Sequence, residues 1–227
     1  MLWAFFGVVV LALVLGPQLW VRRVMLRHSD ERSDIPGTGG ELARHLLDSA
    51  GLQQVAVDIT DSGDHYDTGA RRVRLTPLVF HGRSLTAVAV AAHEVGHALQ
   101  HAEGQALLAM RTRLAKVAIV IERVASVVLL LAPVVALFTH APAIFLLQLG
   151  LGVGLMSLQI VLHMLTLPVE LDASFRRALP ILENGRYVAS ENIPAVRQVL
   201  GAAAWTYVAA ALVSLLNVMR WFRSFRI

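Results

Sequence analysis

Cysteine is missing from all 227 residues, which excludes disulfides, thiolate metal sites and cysteine nucleophiles and leaves histidine and carboxylate as the strong metal ligands. Lysine is nearly missing too: nineteen of the twenty basic residues are arginine. Charge is scarce, at 16% of the chain against 56% hydrophobic, and mean hydropathy is +0.61. That balance excludes an ordinary soluble domain and indicates an integral membrane protein. The net charge of +4 and a pI near 10.3 would suit a nucleic-acid binder. The arginines, however, flank apolar runs, where membrane orientation accounts for them. Membrane lipid is therefore an expected partner and nucleic acid is not. Internal repeats and low-complexity tracts are absent as well. No basic stretch precedes the first apolar run and no small-residue cleavage site follows it, so that run reads as an uncleaved anchor.

What is present divides into five stretches. Residues 1–21 form the anchor, uncharged over about twenty residues and long enough to cross roughly 30 Å of hydrocarbon. Residues 22–116 are the polar part. Within it, 41–50 predicts a short amphipathic helix with Leu42, Leu46 and Leu47 on one side and Gly51 as its stop. Val55, Val57 and Ile59 alternate as in a strand, as do Val73 and Leu75, with turn chemistry at 61–64 between them. From Ser84 to residue 108 the pattern reads as one helix, too polar after its apolar opening to be a good membrane span. Residues 117–167 hold two long apolar runs joined at 139–141, a transmembrane hairpin in which Pro133 would kink the first helix. Residues 168–201 are polar again, and 202–227 hold a fourth apolar segment with a basic tail.

The expected fold is thus mainly α: a polytopic helical bundle of about four spans with a small α+β subdomain. Arginines flank the interior ends of the early segments, which places 22–116 and 168–201 in the cytoplasm. The tail resists this rule, since a fourth span would carry Arg220, Arg223 and Arg226 outside. Either the rule is outvoted there or the last segment lies in the interface.

The chemistry is concentrated in His93-Glu94-Val95-Gly96-His97, an H-E-x-x-H pattern inside a predicted helix. Residues four apart share a helical face, so both imidazoles can ligate one ion. Glu94 beside them can take a proton from a water on that ion, the arrangement of a zinc peptidase with Glu94 as general base. The expected cofactor is one Zn2+ per chain. Apolar residues surround the motif, and Gly96 costs about 1 kcal/mol in a helix interior, which suggests that something packs closely there.

A third ligand must come from elsewhere, because His101 lies about 12 Å from His93 along a straight helix axis. Glu170 and Asp172 are the candidates. Two apart on a helix, they point about 200° away from each other, so only one can face the metal. A His-His-Glu site is the usual catalytic set for this motif, which favours Glu170. His163, seven residues earlier on the same stripe, either borders the site or is a satisfied buried histidine.

These residues, with the separated segments GLQQVAV, GDHYDTGARRVRLT, AAHEVGHALQ and LPVELDASFRRAL in one order, resemble the neutral zinc metallopeptidases of the YugP-like bacterial membrane family. The resemblance covers most of the chain. It implies a zinc endopeptidase of the bacterial inner membrane acting on protein or peptide substrates, with His93, His97 and Glu170 on the metal and Glu94 as base. More distantly the chain is similar to the HtpX and CAAX-prenyl proteases, and the α+β subdomain of residues 22–116 that carries the H-E-x-x-H helix is expected to be zincin-like. In those proteins an aspartate four residues after the ligand glutamate steadies a zinc histidine. Here Ser174 stands at that position, and the role passes to Ser174 or Asp172. The resemblance also implies that His65, Tyr66 and Asp67 belong to the wall of the site, with a tyrosine or histidine stabilising an oxyanion and the strand around Val73 pairing with substrate.

Two other readings compete. A site-2-type intramembrane protease would put the His93 helix in lipid, with Pro168 preceding a Leu171-Asp172 ligand. A zinc-stabilised scaffold would need neither Glu94 nor an open coordination position. Nothing in the sequence sets the oligomeric state.

Overall fold

The computed structural model describes the chain from residue 2 to residue 224. It is mainly helical with one small sheet and divides into two compact units. The first comprises Trp20–Met110 and Leu167–Thr206. The second comprises Arg111–Thr166 with the segments before residue 20 and after residue 206.

In the first unit the chain leaves helix α1 (Leu2–Arg27) and enters α2 (Gly39–Ser49). A reciprocal capping box starts α2: Thr38 accepts from the Glu41 N–H while the Glu41 carboxylate accepts from the Thr38 N–H. Ala43, Leu46 and Leu47 form its buried stripe, and Gly51, at φ 73°, ends it. Three strands follow. β1 (Ala56–Ile59) lies parallel to β3 (Arg72–Leu75), with Val57 opposite Val73. On the other side β2 (His65–Asp67) lies antiparallel to β3, with Tyr66 opposite Val73. The sequence pattern anticipated β1 and β3 but not β2, because three residues with a single apolar side chain show no alternation. β3 is consequently the central strand, and the edges of the sheet are β1 and β2. The strand around Val73 is therefore paired on both sides and cannot take the substrate-pairing role expected of it.

After α3 (Pro77–His81) comes α4 (Leu85–Ala102), whose Ser84 cap accepts from the Ala87 N–H. The end of α1 is tied to this start: the Thr86 hydroxyl and N–H donate to the carbonyls of Met25 and His28. α4 is six residues shorter than the pattern to residue 108 suggested. Gly104 takes φ 67°, and the N–H of Gln105 bonds the Gln100 carbonyl, a left-handed stop that a glycine makes without steric cost. α4 is packed by α2, by the sheet and by residues 172–178, so its face is covered by protein.

The long helices are α5 (Ala106–Thr139) and α6 (Pro142–Leu171). They fold back on each other in the second unit, where Ala125, Leu129 and Met156 form a buried cluster. Gly152 lies so close to Leu129 that a Cβ there would overlap the leucine side chain, and Gln148 donates to the Val128 carbonyl at 3.0 Å. Small residues that let helices approach, and amides that bridge them, are how apolar helices associate without a hydrophobic driving force.

Two helical runs, Ala106–Thr139 and Ala143–Asn184, are long and apolar enough to cross a membrane. That count is of the described residues, and it replaces the expectation of about four. Many side chains of the first and last apolar runs lie outside the described residues. α1 gives its end from Trp20 to the first unit, where Val21 and Val24 are buried. α8 (Ile193–Ser224) gives its start, with Val196, Val199, Leu200, Ala202 and Ala204 buried. Much of the remainder, including the side chains of Arg220 and Arg223, lies outside the described residues, as does Arg226.

After Leu171 the chain widens into a π-helix, Asp172–Ala178, followed by α7 (Leu179–Asn184) and a short 3-10 turn before α8. Gly96 of α4 meets this π segment: a Cβ at Gly96 would lie 2.8 Å from the Ala173 carbonyl oxygen. The close approach inferred from the glycine is there, and its partner is backbone.

Gly96→Ala should therefore be destabilising by about 1–3 kcal/mol from overpacking, against about 1 kcal/mol of helix propensity regained; denaturant unfolding in detergent measures the difference. A second expectation concerns Asp67, whose carboxylate accepts from the N–H groups of Ala70 and Gly69, each at 2.9 Å. Those donors hold its pKa below the ordinary aspartate range. With the folded value below the unfolded one, the stability it contributes is present above about pH 3.9 and is lost as pH falls through the folded value. Asp67→Asn should flatten that acid limb of an unfolding-versus-pH series.

Candidate metal centre

His93 and His97 stand one turn apart on α4, in a stretch whose residues 85–98 are all buried. Their rings meet edge to face, with centroids 4.7 Å apart. Glu170, from the last turn of α6, reaches both: its Oε2 lies 3.1 Å from His97 Nε2 and 3.4 Å from His93 Nε2. One ligand atom from each residue lies within 4.8 Å of the other two. The relative exposures of His93, His97 and Glu170 are 3%, 0% and 1%.

The hydrogen bonds behind the imidazoles decide which nitrogens face Glu170. Ser174 Oγ donates to the Leu200 carbonyl at 2.9 Å, so its single proton is used. Toward His93 Nδ1, 2.9 Å away, it can only accept. His93 therefore carries its proton on Nδ1 and presents a lone pair at Nε2. His97 Nδ1 donates to Gln100 Oε1 at 2.9 Å, which leaves its Nε2 lone pair on the same side. Two lone pairs and a carboxylate oxygen thus converge in a buried space. This donor set suits a divalent cation of the zinc type, with nitrogen and oxygen ligands oriented by their other ring N–H bonds.

The remaining residues singled out in the sequence fall in different places. Glu94 is buried beside the two histidines on α4, at 6% exposure. Asp172 is not part of the converging group; its Oδ2 accepts from Gln100 Nε2 at 2.8 Å and from Arg177 Nε at 3.0 Å. Ser174 touches His93 directly, with its Oγ 2.9 Å from Nδ1. His65 Nδ1 bonds the Gly63 carbonyl at 2.8 Å, and Asp67 closes the turn at residues 69 and 70 and pairs with Arg74 at 3.3 Å. Tyr66 is buried, its hydroxyl 2.8 Å from His101 Nδ1. Burial raises the Tyr66 pKa above the ordinary tyrosine value. His163 belongs to the second unit, where it stacks on Tyr207 with centroids 6.1 Å apart.

The sequence reading passed over Gln100, the Leu200 carbonyl and Arg177. Gln100 carried a signal: three residues after His97, it stands on the same face of α4. Leu200 carried none, since a backbone carbonyl has no sequence signature.

A family model described as "Putative neutral zinc metallopeptidase" matches residues 3–226. The "Putative membrane protease YugP" of Bacillus subtilis (strain 168) is 38% identical over 223 residues, which cover 97% of this chain and 95% of that protein. No solved structure matches. A match that runs nearly end to end makes this chain a member of the neutral zinc metallopeptidase family, and so a hydrolase.

Proposed function

We propose that the chain is a membrane-bound zinc endopeptidase, with one Zn2+ held by His93, His97 and Glu170 and with Glu94 as the general base. The observation that carries this reading is the convergence of two imidazole lone pairs and a carboxylate in a buried space beside a second acidic side chain, Glu94. When bound, the metal supplies Lewis-acid polarisation of the scissile carbonyl and lowers the pKa of the attacking water. Glu94 takes the proton of that water and passes it to the leaving amine. Ser174 and Gln100 hold the imidazoles in the tautomers that keep Nε2 free.

The membrane reading rests on the two apolar helical runs. Multi-pass insertion in a bacterial inner membrane is supported by the similarity to the "Putative membrane protease YugP" of Bacillus subtilis, and the arginines at the ends of these runs favour 22–116 and 168–201 facing the cytoplasm. Substrates of this arrangement are membrane-associated or unfolded proteins. An extended substrate would pair with the free edge of β2, which packs against α4. The enclosure of α4 by protein supports a peptidase acting outside the hydrocarbon over an intramembrane one. A set of three ligands with a neighbouring carboxylate supports catalysis over a scaffold, whose structural site would be closed by four.

Purified in detergent, the wild type should hold about one equivalent of zinc, and Glu170→Gln should lose most of it, while Asp172→Asn still loads in excess zinc. Glu94→Gln should keep the metal and lose cleavage of denatured membrane proteins by about 10²–10⁴-fold. Cleavage at the wild-type rate by Glu94→Gln would sink the reading.

A further inference from the structure

The bonds behind His97 extend much farther than those behind His93. Gln100 has no exposure, and its amide is fully used: Oε1 accepts from His97, while Nε2 donates to the Val169 carbonyl at 3.0 Å and to Asp172 Oδ2 at 2.8 Å. Turned over, the amide would aim its oxygen at a carbonyl and a carboxylate and its nitrogen at His97. His97 would then have to move its proton to Nε2, pointing it at Glu170 and removing the lone pair from the converging group. The orientation of one buried amide therefore decides whether His97 can be a ligand.

Asp172 is fixed in turn. Its Oδ2 also accepts from Arg177 Nε at 3.0 Å, and the other end of Arg177 grips Glu103 through two bonds of 2.6 and 2.7 Å. Five residues apart, Asp172 and Arg177 would point about 140° away from each other on an α-helix. The π geometry of Asp172–Ala178, with its i→i+5 bonding, returns them to one side. Glu103 caps the C-terminus of α4, so the chain of bonds that starts at His97 leaves α4 at Gln100, crosses the π segment and returns to α4.

We propose that Asp172 and Arg177 are positioning residues that lock the Gln100 amide in one orientation, and through it hold His97 with its proton on Nδ1 and its Nε2 lone pair toward Glu170. The proposal rests on the metal-site reading for its purpose, but the tautomer it concerns exists without metal.

The test uses the full chain in detergent, labelled with 15N-histidine and stripped of metal. Long-range 1H–15N correlation reads the tautomer of His97, assigned by its loss in His97→Gln. Zinc affinity is measured separately by competition with a chromophoric chelator. The wild type should show Nδ1–H. Asp172→Ala should give mixed tautomers and an affinity about 10- to 100-fold weaker, the usual cost of losing a group that orients a ligating histidine. Asp172→Asn, whose Oδ1 can still accept from both donors, should recover most of both. Arg177→Met, which leaves Asp172 in place, should shift both readouts the same way by less, and it decides the question if Asp172→Ala does not fold. An unchanged tautomer with affinity within about threefold of wild type in folded Asp172→Ala, or in Arg177→Met where that variant is unfolded, overturns the proposal. Shifted tautomers in a protein that binds no zinc would support the positioning role and refute the metal reading instead.

Discussion

A carboxylate at 1% exposure facing two imidazoles at 3.1 and 3.4 Å is a costly thing to build inside a protein. Burying a charge is tolerated only when it is compensated, and here the hydrogen bonds that the imidazoles donate to Ser174 and Gln100 turn lone pairs, not protons, toward the carboxylate. That constraint organises the first unit around a place for a cation. The partners of each histidine are themselves fully bonded, one ending on a backbone carbonyl of α8 and the other on the charged side chains of the π segment.

The rest of the architecture serves the same point. The zinc-type motif supplies two of the converging atoms from a single turn of α4, and the third must come from more than seventy positions later. Two features bring it there. Gly96 lets the backbone at Ala173 approach α4 to a distance that no side chain would permit. The π-helix that follows Glu170 then sets Ser174 against His93 while turning Asp172 away from the group and onto Gln100. π geometry is uncommon and concentrates at functional sites; here one widened turn gives neighbouring residues different tasks.

The apolar helices have a different logic. α5 and α6 keep many large hydrophobic side chains exposed, among them Leu131, Leu137, Phe138, Leu146 and Leu147, as helices that face lipid do. Among the described residues their own contact combines Ala125 and Gly152 with Leu129, Met156 and the bridging Gln148 amide. α1 and α8 resemble them in composition, yet each commits an end to the packing of the first unit. Composition reports how apolar a segment is, and packing determines what it is buried against.

Much of the centre was legible from residue order. A one-sided leucine stripe marked α2, the Ser84 cap and the run through H-E-x-x-H marked α4, and unbroken apolar length marked the two long helices. The spacing of His93 and His97 placed both imidazoles on one face, since helix geometry is local. The glycine between them announced a close neighbour without naming it. What the sequence could not show was the short β2 and the stop at Gly104 where a longer helix was expected. Nor could it show that Ser174 answers to Leu200, that Gln100 turns His97, or that Glu170 and not Asp172 reaches both imidazoles. Local order determines which elements form and which faces they bury. Which atoms meet across seventy or a hundred residues is decided only when those faces pack, because it depends on the close approach at Gly96 and the extra residue in a π turn, neither of which is a property of any one segment.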